Sequence, residues 1–349
     1  MAAFLRFYDD ETRKSLRRQR IFRDRLNPLN SYCDEEMIKR FRLDRGSILS
    51  ILDNVGEQLE RPTKRSQGLP ASIQLFAALR FLASGTEQRV IGDTLGISKS
   101  SVCRSIDKVV QVLSTSLNTI KFPSEDADIL KTKHGFYSIA GFPNVVGAID
   151  DTLIPITAPK PDEHLYICRK GFHSINVQAI VDSDLKFLSV VRKWPGATHD
   201  AFIWANSGIA RKFERSEIDG WLLGDSGYPL RPWLLTPVNN PKYRGEQSYN
   251  GSHRKTRVVV EQAFGVLKSR FRCLHKTESA LNYEPEKCCM IAYVCCQLHN
   301  ICIDLKLPIL EEDEMDDIND ADRDGDLTYQ GPLNDGKTVR EALIRQRFL

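Results

Sequence analysis

Residues 144–156 read NVVGAIDDTLIPI, an apolar run rich in β-branched residues that carries two adjacent aspartates, Asp150 and Asp151, at its centre. Such a run reads as a strand. Burying a carboxylate is costly unless a partner or a metal compensates it, so a strand with acids in its middle points to a site. Two further strands follow, SINVQAIVD (174–182) and LKFLSVVRKW (185–194), with DSD (182–184) as the hairpin turn between them. A helix is expected from about His199, then a strand WLLGD (221–225) that stops on Asp225, then a long helix carrying Glu261 in VVVEQAFGVLKSRFRCL (258–274). Three strands, a helix, a strand and a helix, with acids on the first strand, at the end of the fourth and on the last helix, is the layout of an RNase H-like nuclease core. The expected fold class is therefore α/β, a mixed sheet flanked by helices.

Phosphodiester cleavage gains from divalent ions, and two of them roughly 3.5–4 Å apart can serve both the attacking and the leaving oxygen. Hard cations such as Mg²⁺ prefer oxygen ligands. Carboxylates on a central strand, on a neighbouring strand end and on a packed helix meet that need, and Asp150, Asp225 and Glu261 occupy such positions. Alternation along a strand sends Asp151 to the face opposite Asp150, which makes it a poor substitute ligand. By spacing, Asp200 is an acid at a helix N-terminus, where the helix dipole favours it.

Upstream, residues 34–60 have helical spacing and RPTKRSQGLP (61–70) reads as a linker. The segment 72–113 reads as three helices. Gly96 supplies a permissive turn and Ser98 an N-cap, while Ile91, Leu95, Ile97 and Val102 hold two helices crossed as in a helix-turn-helix. Lys99, Ser100, Ser101 and Arg104 would then face DNA at the start of the second helix, although helical hairpins that touch no DNA share the pattern. The expected organisation is a basic helical region over 1–65, the helix-turn-helix over 66–125, the RNase H-like core over 140–305, and an acidic linker with a C-terminal helix over 306–349.

The net charge of +3 conceals an asymmetry, because residues 311–326 hold ten acids and one arginine. The remaining 48 basic and 36 acidic residues leave +12 for the rest, which suits either a polyanionic partner or a solvated surface. The acidic segment is too polar to offset its ordering entropy and is expected to be disordered. Arg169, Lys170 and His173, and Arg254, Lys255, Arg257, Lys268, Arg270 and Arg272, cluster around the acids where they would neutralise phosphates. Five of nine cysteines crowd into 287–302 without paired CxxC spacing. Cys288, Cys295 and Cys302 share a helical face with Ala292 and Leu298, so they read as buried thiols, and His299 as a core or capping histidine. No apolar run nears the roughly 20 residues of a membrane span, and no secretory leader is evident; an intracellular protein is expected.

GAIDDTLIPI, RKGFHSINVQAIVD, WPGATHDAFIW, LLGDSGYPLRPWLLTP and RVVVEQAFGVLKSRFRCL, in that order over about 145–275, resemble the successive blocks of PIF/Harbinger-type DDE transposases. The preceding hairpin and CCQLHNI (295–301) resemble that family too. The resemblance implies that Asp150, Asp225 and Glu261 are catalytic, metal-binding acids, with Asp200 as an additional metal contact and Mg²⁺ or Mn²⁺ as the cofactor. It implies DNA as partner (transposon terminal repeats and target site), a Myb-like DNA-binding protein, a homo-oligomer and a nuclear location, with the cytoplasm as an alternative when that partner is absent. Where the family has Gly-Thr-His after the first acid, this chain has Asp151, Thr152 and Leu153. The alternatives are a domesticated DNA-binding or scaffold protein that no longer cuts, and a ribonuclease of the same fold.

Overall fold

The computed structural model describes residues 27–60, 68–160, 162–276, 280–309 and 334–349. The basic stretch 12–25, most of the 61–70 linker and the acidic segment 311–326 lie outside the described residues.

The chain enters through α1 (Pro28–Ser31), α2 (Asp34–Phe41) and α3 (Arg45–Leu59). Helical spacing over 34–60 is thus realised as two helices. Arg42 breaks them with a left-handed backbone, φ 64°, and Asp44 caps the second by accepting from the Ser47 amide. Next come α4 (Ala71–Ser84), α5 (Gln88–Leu95) and α6 (Lys99–Ser116). Gly96 ends α5 at φ 65°, and Ser98 Oγ caps α6 by accepting from the Ser101 amide at 3.2 Å. A further helix, α7 (Asp126–Ala140), has no counterpart in the sequence reading. Its amphipathic signal is faint because Phe136 is its one buried side chain, with Leu130 and Tyr137 exposed.

The sheet comprises β1 (Val145–Pro155), β2 (Ser174–Val181), β3 (Phe187–Pro195), β4 (Trp221–Leu223) and β5 (Leu234–Leu235), in the order β3-β2-β1-β4-β5. β1, β2 and β3 pair antiparallel, whereas β4 and β5 run parallel to β1. Short helices intervene: α8 (Glu163–Tyr166), α9 (Asp200–Ala205) and α10 (Gly208–Glu214). Then come the long α11 (Arg244–Arg270), α12 (Pro285–Asp304) and α13 (Asn334–Arg347). The result is a five-stranded mixed sheet flanked by helices.

Two apolar layers cover the two faces. On one, Ala148, Ile154, Val177 and Ala179 pack with Val260, Ala263, Phe264 and Leu267 of α11, with α12, and onward with α4 and α6 in one continuous core. On the other, Ile149, Ile180 and Leu188 pack with Trp204 and Phe213 of α9 and α10. Alternation along β1 therefore decides which helix each acid meets.

The polar residues inside α12 act as fasteners. Asn300 Nδ2 donates to the Phe187 and Thr119 carbonyls while its Oδ1 accepts from the Phe187 amide. Gln297 bonds Thr119 and Leu117. His299 Nε2 donates to the Leu185 carbonyl at 2.9 Å, holding the left-handed corner of the β2–β3 hairpin. Cys288, Cys295, Cys296 and Cys302 are buried thiols, and burial pushes Cys288 up to about 12.

Burial lowers His299 to about 3 and His253 of α11 to about 4, against about 6.5 in an unfolded chain. The folded state holds both neutral, so their contribution to stability is complete above about pH 6.5 and is lost as pH falls, by about 1.4 kcal/mol per unit and histidine. Subtracting the denaturation free energy of His299→Gln from that of the wild type cancels every other titrating group. We expect this difference to fall by roughly 2 kcal/mol between pH 7.5 and 5. A flat difference would remove His299 from the acid sensitivity of the fold.

Candidate active site

Asp150 lies on β1 opposite Ala179, on the α11 face, and Asp151 lies opposite Gln178, on the α9 face. Asp225 follows β4 by two residues, in a turn closed by the Gly227 amide donating to its Oδ1 at 3.0 Å. Gly224 lets that turn come close: an added Cβ would sit 3.0 Å from the Tyr228 ring and 3.2 Å from Ile149. Asp200 opens α9, and Glu261 projects from α11. The sheet thus separates two sets of acids. Asp150 and Glu261 belong to one face and Asp151 and Asp200 to the other, with Asp225 acting on both.

The electrostatics record the crowding. Burial, opposed by Arg257 and reinforced by Asp225 and Asp151, pushes the Asp150 carboxyl up to about 8. Burial, then Asp225 and Asp150, push Asp200 up to about 6. Burial, then the charge of Asp200 and a hydrogen bond with it, hold Asp151 well above the usual carboxylate range. Like charges at close quarters resist ionising together. Asp151 does point away from Asp150, but α9 brings Asp200 to that same face, so it is a member of the cluster and not a bystander.

Two residues that the sequence reading missed complete the site. Tyr228, buried three positions after Asp225, accepts from Gln178 Nε2 at 3.0 Å. Burial, then Asp200, Asp151, Asp150 and Asp225, raise its phenol well above its ordinary value. Gln178 also donates to the Asp200 carbonyl at 3.1 Å, tying α9 to β2. Polar Asn176 and Gln178 at alternate places in SINVQAIV were the available signal. Leu153 stands opposite Asn176 across the ladder. Asn176 is 2% exposed, and its Oδ1 has no hydrogen-bond partner among the described residues, so the apolar Leu153 leaves a buried acceptor unsatisfied.

The basic residues divide. Arg169, Lys170, Arg254 and Lys255 are exposed and Lys268 half-buried; Arg169 lies near enough to favour the charged forms of Asp151 and Asp200. His173 bonds Glu163 at 2.9 Å. Two of the cations expected at phosphates have their partners inside the protein. Arg270 is 4% exposed and donates to the Leu307 carbonyl at 2.7 Å, because the end of α11 is packed inside the protein. Arg257 is turned into the acids: Nη1 donates to Asp150 Oδ2 at 2.6 Å and Nη2 donates to Glu261 Oε1. Lys99, Ser100 and Arg104 are exposed along α6, with Ser101 half-buried and Lys99 3.9 Å from Glu87.

The donor chemistry, carboxylate oxygens whose mutual repulsion a cation would relieve, fits a divalent metal. As the side chains stand, no three His, Cys, Asp or Glu residues among the described ones converge on one ion position. Asp150 and Glu261 instead share the Arg257 guanidinium. No described helix is long and apolar enough to cross a membrane.

Comparison with known proteins agrees with this geometry. The profile of the DDE superfamily endonuclease family matches residues 149–300, which span all five acids. Human HARBI1, named as a candidate nuclease, is 37% identical over 278 residues, 79% of this chain and 80% of its own. An Arabidopsis thaliana protein named ALP1-like is 32% identical over 277 residues, 73% of this chain and 66% of its own. A Microchaete diplosiphon protein, named as a transposase for the insertion sequence element IS702, is 26% identical over 201 residues, 53% of this chain and 67% of its own. No solved structure matches the chain. Fold, site and comparisons define the class as a DDE-type nuclease. Within that class, the chain belongs to the Harbinger-derived family.

Proposed function

We propose that this protein is a divalent-metal-dependent DNA endonuclease of transposase type, cutting phosphodiester bonds at the ends of a DNA element and joining the 3′-hydroxyl ends to target DNA. The observation that carries this reading is the crowding of Asp150, Asp151, Asp200 and Asp225, each raising another's proton affinity, in a member of the DDE endonuclease superfamily. Asp150, Asp225 and Glu261 would hold Mg²⁺ or Mn²⁺, with Asp200 as a further ligand. When bound, such an ion polarises phosphate oxygens and makes water a stronger nucleophile. Water then adds to phosphorus, the bond to O3′ breaks, and a 3′-hydroxyl and a 5′-phosphate result; that hydroxyl repeats the displacement on the target strand. Tyr228, kept a neutral phenol by its surroundings, stays able to donate a hydrogen bond within the cluster.

Arg169, Lys170, Arg254, Lys255 and Lys268 are the cations we assign to DNA phosphates around the site. Lys99, Ser100, Ser101 and Arg104 would make a second contact as a helix-turn-helix. A Myb-like partner, homo-oligomerisation and a nuclear location belong to the same reading. Replacing both Lys99 and Arg104 with alanine in the full chain should reduce the slope of log affinity against log salt by about 1.8, near 0.9 for each lost phosphate contact. An unchanged slope would leave α5 and α6 as a structural hairpin.

One observation favours a second reading, a domesticated DNA-binding protein that does not cut. Leu153 leaves Asn176 Oδ1 unsatisfied beside the acids. Nicking of supercoiled plasmid by the wild-type protein with Mn²⁺, absent in EDTA, separates the two: relaxed circles support the nuclease, and plasmid bound but never cut supports the scaffold.

A further inference from the structure

The cation at the acid cluster is one the chain carries itself. Arg257 and Glu261 are one turn apart on α11, so their side chains share a face. Asp150 reaches the same point from β1, and the guanidinium bridges both carboxylates. Its side chain is 17% exposed and that of Asp150 16%. Burial works against the arginine charge, but Asp150, Glu261 and Asp225 more than restore it. A planar guanidinium presents separate N–H donors in a fixed fork to two carboxylates at once. The two oxygens it takes, Asp150 Oδ2 and Glu261 Oε1, are among those a divalent ion shared by these acids could use.

We propose that Arg257 is a built-in competitor for divalent metal, which holds the acid cluster closed until a DNA phosphate draws it away. The inference rests on the nuclease reading only for the identity of the anion. Phosphate is the other anion that a guanidinium fork matches, and the exposed Arg254 and Lys255 lie on the same helix, three and two residues before it. Transfer of the fork from carboxylates to phosphate frees two oxygens as DNA arrives. Metal and DNA then bind with positive coupling, and linkage makes the coupling reciprocal. An enzyme built this way keeps its metal site shut away from DNA, although four aspartates sit within reach of one another.

The test measures Mn²⁺ binding to the full chain, by the electron paramagnetic resonance of free Mn²⁺, with and without a short duplex. In the wild type the duplex should tighten Mn²⁺ binding roughly fivefold or more, the lower end of ordinary coupling. Arg257→Gln should bind Mn²⁺ more tightly than wild type by a similar factor without DNA, and the duplex should add little. Arg257→Lys, which keeps the charge but loses the fixed fork, should fall between the two and serves if the glutamine variant does not fold. Glu261→Gln should lose affinity in both conditions. A folded Arg257 variant that binds Mn²⁺ no better than wild type, or worse, overturns the proposal, as does DNA-independent Mn²⁺ affinity in the wild type. Because the readout is metal binding, a protein that shows the coupling yet never nicks plasmid would defeat the nuclease reading and leave this one standing.

Discussion

Asp225→Asn should abolish Mn²⁺-dependent plasmid nicking while raising the thermal stability of the metal-free protein. The two effects have one cause. Asp225 acts on both faces of the cluster and raises the proton affinity of Asp150, Asp151 and Asp200, so its charge costs the empty site stability. Asparagine keeps the oxygen that accepts from the Gly227 amide and removes the repulsion. The same change deletes a ligand oxygen that binds metal best when charged. Metal catalysis is worth several kcal/mol, so the rate should fall on the order of 10³-fold. Asp150→Asn and Glu261→Gln should lose cleavage equally without the gain in stability, because each strips a partner from the half-buried Arg257 and a charge left uncompensated away from water is destabilising. Near-normal nicking by any of the three folded variants would sink the assignment of these acids, and an unstabilised Asp225→Asn would refute the crowding argument.

Divalent metal should stabilise the wild type. Binding to the folded state alone adds about 2.7 kcal/mol at a metal concentration 100 times Kd, which appears as a rise of a few degrees in Tm. The gain should vanish in Glu261→Gln and in Asp225→Asn, and Ca²⁺ should reproduce part of it, since stabilisation requires only a hard cation among oxygens. Differential scanning calorimetry with and without Mn²⁺ reads this directly. A wild type whose Tm ignores Mn²⁺, or a Glu261→Gln variant that responds as fully as wild type, would place any bound metal elsewhere.

Much of this was legible in the chain. The apolar run around Asp150 and Asp151, the DSD hairpin and the arrest of WLLGD on Asp225 announced four strands, because alternation and turn chemistry are local. β5 is two residues long and carries no pattern to read. The acids were legible because carboxylates in apolar strands demand a reason, yet the role of Asp151 was not. Alternation sends it off the Asp150 face, and only the packing of α9 on that other face reveals Asp200 there. Arg257 and Arg270 were placed among the phosphate-facing cations by their crowding around Glu261. The spacing of Arg257 and Glu261 held the hint for the first, a helical pair four apart. Nothing local marks the second, whose burial depends on α11 ending beneath the carbonyl of Leu307.

Asp150 of β1, Asp225 just past β4 and Glu261 of α11 are the acids we assign to the metal that cuts DNA. Anomalous diffraction at the manganese edge, from crystals of the full chain grown with Mn²⁺ and a duplex, tests this assignment most directly. An anomalous peak should lie within coordination distance of the Asp150 and Asp225 carboxylates, with the Arg257 guanidinium moved off Asp150. Manganese bound only elsewhere, with Arg257 still bridging Asp150 and Glu261 in a complex that cuts its DNA, would contradict it.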